Sequence, residues 1–203
     1  PSTAPPPSAR QGLTLPNLST LGPLIALLVA TLFFAIFAPN FFKLSTFSLI
    51  LQQASIVGVI AIAQTLIILT AGIDLSCGMI MALSSMVIGK LAVEQGWPVA
   101  LAILTGLAVG AIIGWINGVL ITLVKLPPFI VTLGMYSIVF ALVRIYSKAT
   151  SVPMPPEGLT FLAQRFSLFG ATFSYGSLML LALFLLTWLY LKSTAPGRHI
   201  YAL

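Results

Sequence analysis

The chain has 203 residues, of which 59% are hydrophobic and 6% are charged, and its formal net charge is +6. Soluble domains are about one quarter charged, and the mean hydropathy here is +1.13, so most of the surface cannot face water. The composition therefore excludes an ordinary soluble domain and indicates a protein surrounded by lipid. The nine Lys and Arg residues are scattered singly between apolar runs and form no basic stripe of the kind that binds nucleic acid, so no nucleic-acid partner is predicted.

The apolar runs predict the helices. Residues 1–20 are rich in Pro, Ser and Thr and show no apolar period, which predicts a disordered tail. A bilayer-spanning helix needs about 20 mostly apolar residues, and the runs are continuous rather than alternating, which favours helices over barrel strands. We therefore predict an all-α polytopic membrane protein whose residues 21–203 form one transmembrane domain. Its predicted helices, about six in number, are residues 21–38, 49–71, 75–93, 97–124, 128–146 and 175–191.

The longest connection, residues 147–174, contains "SVPMPPEG" and is too polar to lie in the hydrocarbon. The sequence leaves its local structure open.

The stretch "TAGIDLSCG" places Asp74 between two apolar runs. An ionisable residue inside a membrane segment marks a function by default, so Asp74 could line a polar path, together with Ser76 and with Gln64 on the preceding helix. The other interpretation is structural, because Asp caps helix N-termini and Gly72 can take the positive φ that ends a helix. The spacing favours a helix that is restarted near Asp74, and ligand binding is the second alternative.

The fourth span carries a glycine stripe. Gly106, Gly110, Gly114 and Gly118 recur every fourth residue, so they lie near one face of a helix. Small residues at this spacing let membrane helices approach closely, which predicts a helix-packing seam. Asn117 lies beside the stripe and would need a hydrogen-bond partner if buried; a bond to another helix is favoured over a substrate contact.

The remaining polar and aromatic positions indicate no catalysis. Phe129 follows Pro127 and Pro128 at a predicted helix start; it could line a pathway, but an aromatic residue there is more typical of a membrane-interface anchor. No catalytic triad, carboxylate pair, phosphate-binding loop or metal-ligand spacing is found in the sequence. The chain is therefore not predicted to be an enzyme, and no metal or cofactor is assigned to it.

The distribution of basic residues does not orient the chain. With six spans, four Lys and Arg residues fall on one side and five on the other, so the positive-inside bias gives no answer.

Three motifs resemble one known family. They are "TAGIDLSCGMIMALSSM", "GWINGVLITLVKLPPFIVTLGMYSI" and "PGRHIYAL", and in this order they look like the permease subunit of ribose-type ABC importers, which carry ribose, xylose, related monosaccharides and some polyols. The resemblance runs from about Leu21 to Leu203. Cys77 and Met79 depart from it, since relatives have a small residue at the first position and commonly serine at the second.

The resemblance implies a location, an orientation and partners. It implies a multi-pass protein of the bacterial inner membrane that works with a second permease copy, with an ATP-binding subunit that holds ATP and Mg, and with a periplasmic sugar-binding protein. In this family the Gly-Arg segment leads into a cytoplasmic element, so a loop containing Gly197, Arg198 and His199 is expected to face the ATPase. Family permeases continue through further spans, so the chain is expected to be the N-terminal part of a truncated permease.

Two other functions stay open at this stage. An ion-coupled secondary transporter could use Asp74 to carry a proton or a sodium ion. A non-transporting membrane scaffold is the other alternative, because the chain is short.

Overall fold

The computed structural model describes residues 18–152, 160–168 and 171–202. Its helices are α1 (Leu18–Phe37), α2 (Leu44–Leu69), α3 (Cys77–Gly89, continued by the π-helical turn Lys90–Glu94), α4 (Val99–Thr122), α5 (Pro128–Ser147), a 3-10 turn (Phe161–Ala163), α6 (Tyr175–Ser193) and α7 (Ala195–Ala202).

Five of these helices are long and apolar enough to cross a membrane: α2, α3 with its π-helical turn, α4, α5 and α6. Residues Leu21–Phe37 of α1 form a shorter apolar helix. The predicted all-α polytopic fold is confirmed. Residues 1–17 of the predicted tail lie outside the described residues, and α1 begins at Leu18, within the segment predicted as tail. The chain forms two compact units, residues 1–47 and residues 48–203, which are taken in turn.

In the first unit, α1 is followed by an aromatic turn. Asn40 has a φ of 72°, and its carbonyl accepts a hydrogen bond from the Thr46 hydroxyl at 3.0 Å. The Phe41 ring packs against Phe42 with centroids 5.4 Å apart and against Phe47 at 6.0 Å. Aromatic residues are enriched at the membrane–water interface, which fits this turn as the end of a span.

In the second unit, the core lies between α3, α4 and α5. Its buried members are Leu83, Ile113, Met135 and Val139. Most other large apolar side chains of the described residues are exposed, as expected where the neighbour is lipid. Lipid tails are as apolar as leucine, so close packing and polar bonds, rather than hydrophobic burial, must hold these helices together.

The connection before α6 contains a β-hairpin that the sequence left unassigned. Strands β1 (Arg165–Leu168) and β2 (Ala171–Ser174) pair antiparallel, with Phe166 opposite Phe173. The Phe166 ring lies 6.0 Å from that of Phe173 and 5.2 Å from that of Tyr175. Cross-strand aromatic pairs stabilise short hairpins, and strands of four residues are too short to give a periodic signal in the sequence.

The sequence predicted that Gly197, Arg198 and His199 lie in a loop. This is wrong, because they lie in the helix α7. Thr194 starts this helix: its Oγ1 accepts a hydrogen bond from the backbone N–H of Gly197 at 3.1 Å, the usual capping arrangement. Gly197 is buried, whereas Arg198 and His199 are exposed. A Cβ on Gly197 would lie 2.6 Å from the Cα of Leu191, so α7 sits on the last turn of α6.

Candidate functional site

Helix α2 ends in a motif that provides hydrogen-bond donors for its last backbone carbonyls. The N–H of Ala71 bonds to the carbonyl of Ile68 at 2.9 Å, and that of Gly72 bonds to Ile67 at 3.0 Å, which is the Schellman pattern. The positive φ of 56° belongs to Ala71, so the prediction that Gly72 carries it is wrong. Glycine is favoured at position 72 for a different reason: a Cβ there would lie 3.0 Å from a methyl carbon of Ile67 and 3.2 Å from its carbonyl oxygen.

Asp74 organises the turn that precedes α3. Its Oδ1 accepts hydrogen bonds from the backbone N–H of Ser76 at 2.7 Å and from the Ser76 hydroxyl at 2.6 Å. Helix α3 begins at Cys77, and Ser76 is the residue that precedes its first turn. The restart predicted at Leu75, with Asp74 as the cap, is therefore displaced by two residues, because the carboxylate forms an Asx turn before the helix begins.

Side chains of two neighbouring helices hold this turn. The Gln64 Nε2 on α2 donates to the backbone carbonyl of Asp74 at 2.6 Å. The Asn117 Nδ2 on α4 donates to the Ser76 hydroxyl oxygen at 3.0 Å. Four residues predicted separately from the sequence thus meet at one place: Gln64, Asp74, Ser76 and Asn117.

A third helix contributes Thr132, which the sequence analysis missed. Its Oγ1 lies 3.1 Å from the carbonyl oxygen of Ile73 and 3.0 Å from that of Pro128, so the hydroxyl can donate to either. The sequence around Thr132 does not distinguish it from other threonines of the spans. Its bond to Ile73 joins positions 59 apart in the chain, so no local pattern reveals it. We call Gln64, Asn117 and Thr132 the break clamp, because they attach the turn between α2 and α3 to α2, α4 and α5.

Three of the polar side chains at the turn are buried, although Ile73 and Leu75 of the turn are exposed. Ser76 is 0% exposed, Thr132 2% and Asn117 5%. Two acceptor oxygens there, Oε1 of Gln64 and Oδ1 of Asn117, have no hydrogen-bond partner among the described residues. The side chains of Gln64 and Asn117 can thus accept two further hydrogen bonds.

The turn lies beside the interior of its neighbouring helices, away from their ends. Asn117 precedes the end of α4 by five residues and Thr132 follows the start of α5 by four, so at 1.5 Å per residue the turn is about 6 to 8 Å inside those ends. Irregular backbone at membrane depth is tolerated only where protein or a wet cavity satisfies its polar groups. In the break clamp, Gln64 and Thr132 donate hydrogen bonds to the backbone carbonyls of Asp74 and Ile73 in the turn.

A cavity of about 730 Å³ runs along one face of α2 and reaches Asp74. Its α2 lining extends from Gln52 to Ile67, about 22 Å along the helix axis. The walls are mainly Ile, Val, Ala and Met side chains, and the polar lining residues lie toward the two ends. At the end opposite Asp74, the Gln52 Oε1 accepts a hydrogen bond from Arg165 at 2.8 Å.

Four candidate residues stand in different surroundings. Ser76 and Asn117 bond to each other inside the protein and do not line the cavity, whereas Asp74 does. Phe129 is 51% exposed on the first turn of α5 and is neither a cavity-lining residue nor a member of the break clamp. The geometry favours the helix-restart role for Asp74, Ser76 and Asn117.

The glycine stripe contacts α3 only in its first half. A Cβ on Gly106 would lie 2.6 Å from the Cδ1 of Ile88, and one on Gly110 would lie 3.2 Å from a serine hydroxyl of α3. No described atom lies within 4 Å of a Cβ placed on Gly114 or Gly118, so within this chain the predicted seam does not extend to them. Each four-residue step turns about 40° beyond a full turn, so the stripe rotates about 120° from its first glycine to its last.

The chain is similar to import permeases from several bacteria. It is 46% identical to the fructose import permease protein FrcC of Rhizobium meliloti over 186 residues, which cover 89% of this chain and 52% of that protein. It is 36% identical to the ribose import permease protein RbsC of Escherichia coli K12, with 89% of this chain and 56% of that protein covered. Identity to the autoinducer 2 import system permease protein LsrC of Yersinia pseudotuberculosis is 33%, with 88% and 50% covered.

The chain thus spans about half the length of the curated relatives that it matches. No solved structure matches it. The family described as the permease component of the branched-chain amino acid transport system matches residues 46–203. With its five candidate membrane-spanning helices, the chain belongs to this permease family and is a multi-pass protein of the bacterial inner membrane.

Proposed function

We propose that the chain is part of the membrane-spanning permease subunit of an ATP-driven importer, and that the complete permease carries a monosaccharide. The observation that supports this most strongly is the 46% identity to a fructose import permease across 89% of the chain. The ribose permease at 36% identity supports the same class of substrate. Because the matched relatives are about twice as long, the proposal concerns the whole permease.

The proposed partners supply the energy and the substrate. A separate ATP-binding subunit holds ATP and Mg, a periplasmic binding protein delivers the sugar, and a second permease copy completes the pathway. This chain supplies helices and no covalent step. His199, exposed on α7, is proposed to face the ATP-binding subunit.

The clamped turn is proposed to make α2, α3, α4 and α5 move together during transport. Each clamp bond joins the turn to a different helix, so a displacement of α3 is transmitted to its neighbours through buried or partly buried hydrogen bonds. Such bonds resist exchange with water, because breaking one leaves a buried polar group unsatisfied.

The cavity beside α2 suits weak sugar contact. A sugar carries many hydroxyl groups, while most of the cavity wall is apolar and its polar groups lie toward the ends. Transport requires binding that is weak enough for release. Under the proposal, affinity for the sugar therefore resides in the periplasmic binding protein.

The test uses the complete permease, purified with its ATP-binding subunit and placed in proteoliposomes. Uptake of labelled fructose and ribose should require ATP inside the vesicle and sugar-loaded binding protein outside. Replacing the phosphate-binding lysine of the ATP-binding subunit should abolish uptake without removing that subunit from the complex.

An ionophore distinguishes the ion-coupled alternative. If uptake collapses with the ion gradient while ATP persists, the chain is part of a secondary transporter and the proposal fails. The scaffold alternative is favoured if fructose and ribose are not taken up and if ATP hydrolysis is stimulated by neither the sugars nor the binding protein.

A further inference from the structure

The corner between α6 and α7 forms a basic pocket. Trp188, Leu191, Lys192 and Arg198 line a cavity of about 340 Å³. Trp188 and Leu191 supply its apolar lining, and Lys192 and Arg198 supply two cationic groups. The pocket thus combines an apolar surface with positive charge in one small space.

Backbone contacts hold α7, which carries Arg198, against the end of α6, which carries Lys192. Thr194 caps α7, and its carbonyl accepts a hydrogen bond from the backbone N–H of Arg198 at 3.1 Å. Close packing of Gly197 against Leu191 keeps α7 on the end of α6. The ammonium group of Lys192 lies 4.8 Å from the centre of the Trp188 ring, which holds it at the pocket wall by a cation–π interaction.

The two cations have no anionic partner in the described part of the chain. The whole chain has three acidic residues; Glu94 pairs with Lys90 at 3.3 Å, and Asp74 is bound to Ser76. No ion pair to Lys192 or Arg198 is found among the described residues. The third acidic residue, Glu157, lies outside the described residues, so no described group of this chain complements the charge of the pocket.

The position of the pocket in the membrane identifies the class of that molecule. Helix α6 has 19 residues, about 28 Å, which matches the thickness of the hydrocarbon core. Lys192 lies in its last turn and Trp188 one turn earlier, so both are at the depth where lipid phosphates and interfacial tryptophans lie.

We propose that this pocket binds the headgroup of an anionic phospholipid, with the phosphate against Lys192 and Arg198 and the upper acyl chain against Trp188 and Leu191. The cation pair complements the negative headgroup, and the apolar wall complements the chain attached to it. The proposal requires only that the chain spans a membrane, so it stands or falls independently of the sugar and of ATP.

Quenching of Trp188 by brominated lipid tests the proposal in the complete permease. Trp97 and Trp115 are first replaced by Phe, which leaves Trp188 as the reporter among the tryptophans of this chain, and tryptophans elsewhere in the permease are replaced likewise. Nanodiscs then contain brominated phosphatidylglycerol or brominated phosphatidylcholine at equal mole fraction. Each cation near an anionic headgroup favours binding by about fivefold, so the site should select the anionic lipid by about 25-fold.

Paired variants separate the pocket from general surface charge. The double variant Lys192→Gln with Arg198→Gln should lose the selectivity, and Arg198→Lys should keep most of it. Lys125→Gln removes a cation from the loop after α4 and should leave it unchanged. Elution of each variant as a single peak in detergent shows that it is folded.

Two results would overturn the proposal: equal quenching by both lipids in the parent protein, and selectivity that survives the double variant. If the parent protein shows no lipid selectivity and the double variant loses the bound ATP-binding subunit, the cation pair belongs to a protein contact instead.

Discussion

Replacing Asp74 by Ala or by Asn separates the structural role of its oxygen from the role of its charge. In the structure, one carboxylate oxygen accepts two hydrogen bonds, from the backbone N–H and the hydroxyl of Ser76. Hydrogen bonds to a charged group are worth about 1.5 to 3 kcal/mol, and neutral ones about 1 kcal/mol. Because Asp74 is half-buried, the lower value applies.

Asp74→Ala removes both bonds and should destabilise the folded state by about 3 kcal/mol. Asp74→Asn keeps an acceptor oxygen in place and should cost only about 1 kcal/mol. For a chain of this size, these losses correspond to decreases in melting temperature of about 6 to 12 °C and about 2 to 4 °C.

The assay is thermal unfolding of the purified protein in one detergent, with transport measured on the same preparations. Glu94→Ala is the matched control, because it removes another carboxylate, half-exposed in its i,i+4 ion pair with Lys90, and such a pair is worth about 1 kcal/mol or less. Equal melting temperatures for the Ala and Asn variants would refute the hydrogen-bond argument. Normal stability but no transport in Asp74→Asn would show that the charge itself is required.

Three further substitutions test the packing around the break and at the α6–α7 corner. Gly106→Ala should be less stable than Gly114→Ala by about 1 to 3 kcal/mol. Both variants gain helix propensity, but only the Cβ at position 106 meets α3. Equal melting temperatures would contradict the predicted contact. Gly197→Ala places a Cβ 2.6 Å from backbone atoms of α6, so it should open the corner and speed tryptic cleavage at Arg198 several-fold, and an unchanged cleavage rate would argue against close packing there. Thr132→Val removes the hydroxyl and should cost about 1 to 3 kcal/mol, whereas Thr132→Ser should unfold near the wild-type temperature; if Val and Ser unfold together, this hydroxyl contributes nothing to the clamp.

From the sequence, the residues of the candidate site could be named, but the way they bond to one another could not. Gln64, Asp74, Ser76 and Asn117 were identified one by one, because a polar side chain in an apolar span must find a partner. The bonds among them could not be predicted, since Asn117 and Ser76 are 41 positions apart. Local chemistry also misplaced the positive φ, which the structure puts at Ala71.

The sequence by itself determined the approximate limits of α1 to α6, but it missed α7. Lipid offers no hydrogen bonds to the backbone, so each crossing needs a continuous apolar run that bonds internally, and such a run is visible in one dimension. It also determined that the fourth span is rich in glycine at regular spacing.

Only the tertiary structure decided which groups meet. The rotation of about 40° per four residues directs Gly106 toward α3 and leaves Gly114 and Gly118 without a contact in this chain. The placement of Thr132 against Ile73 and of Arg198 beside Lys192 likewise depends on how the helices pack. Contacts between helices depend on rotation and depth, and neither is encoded in the hydropathy of a single segment.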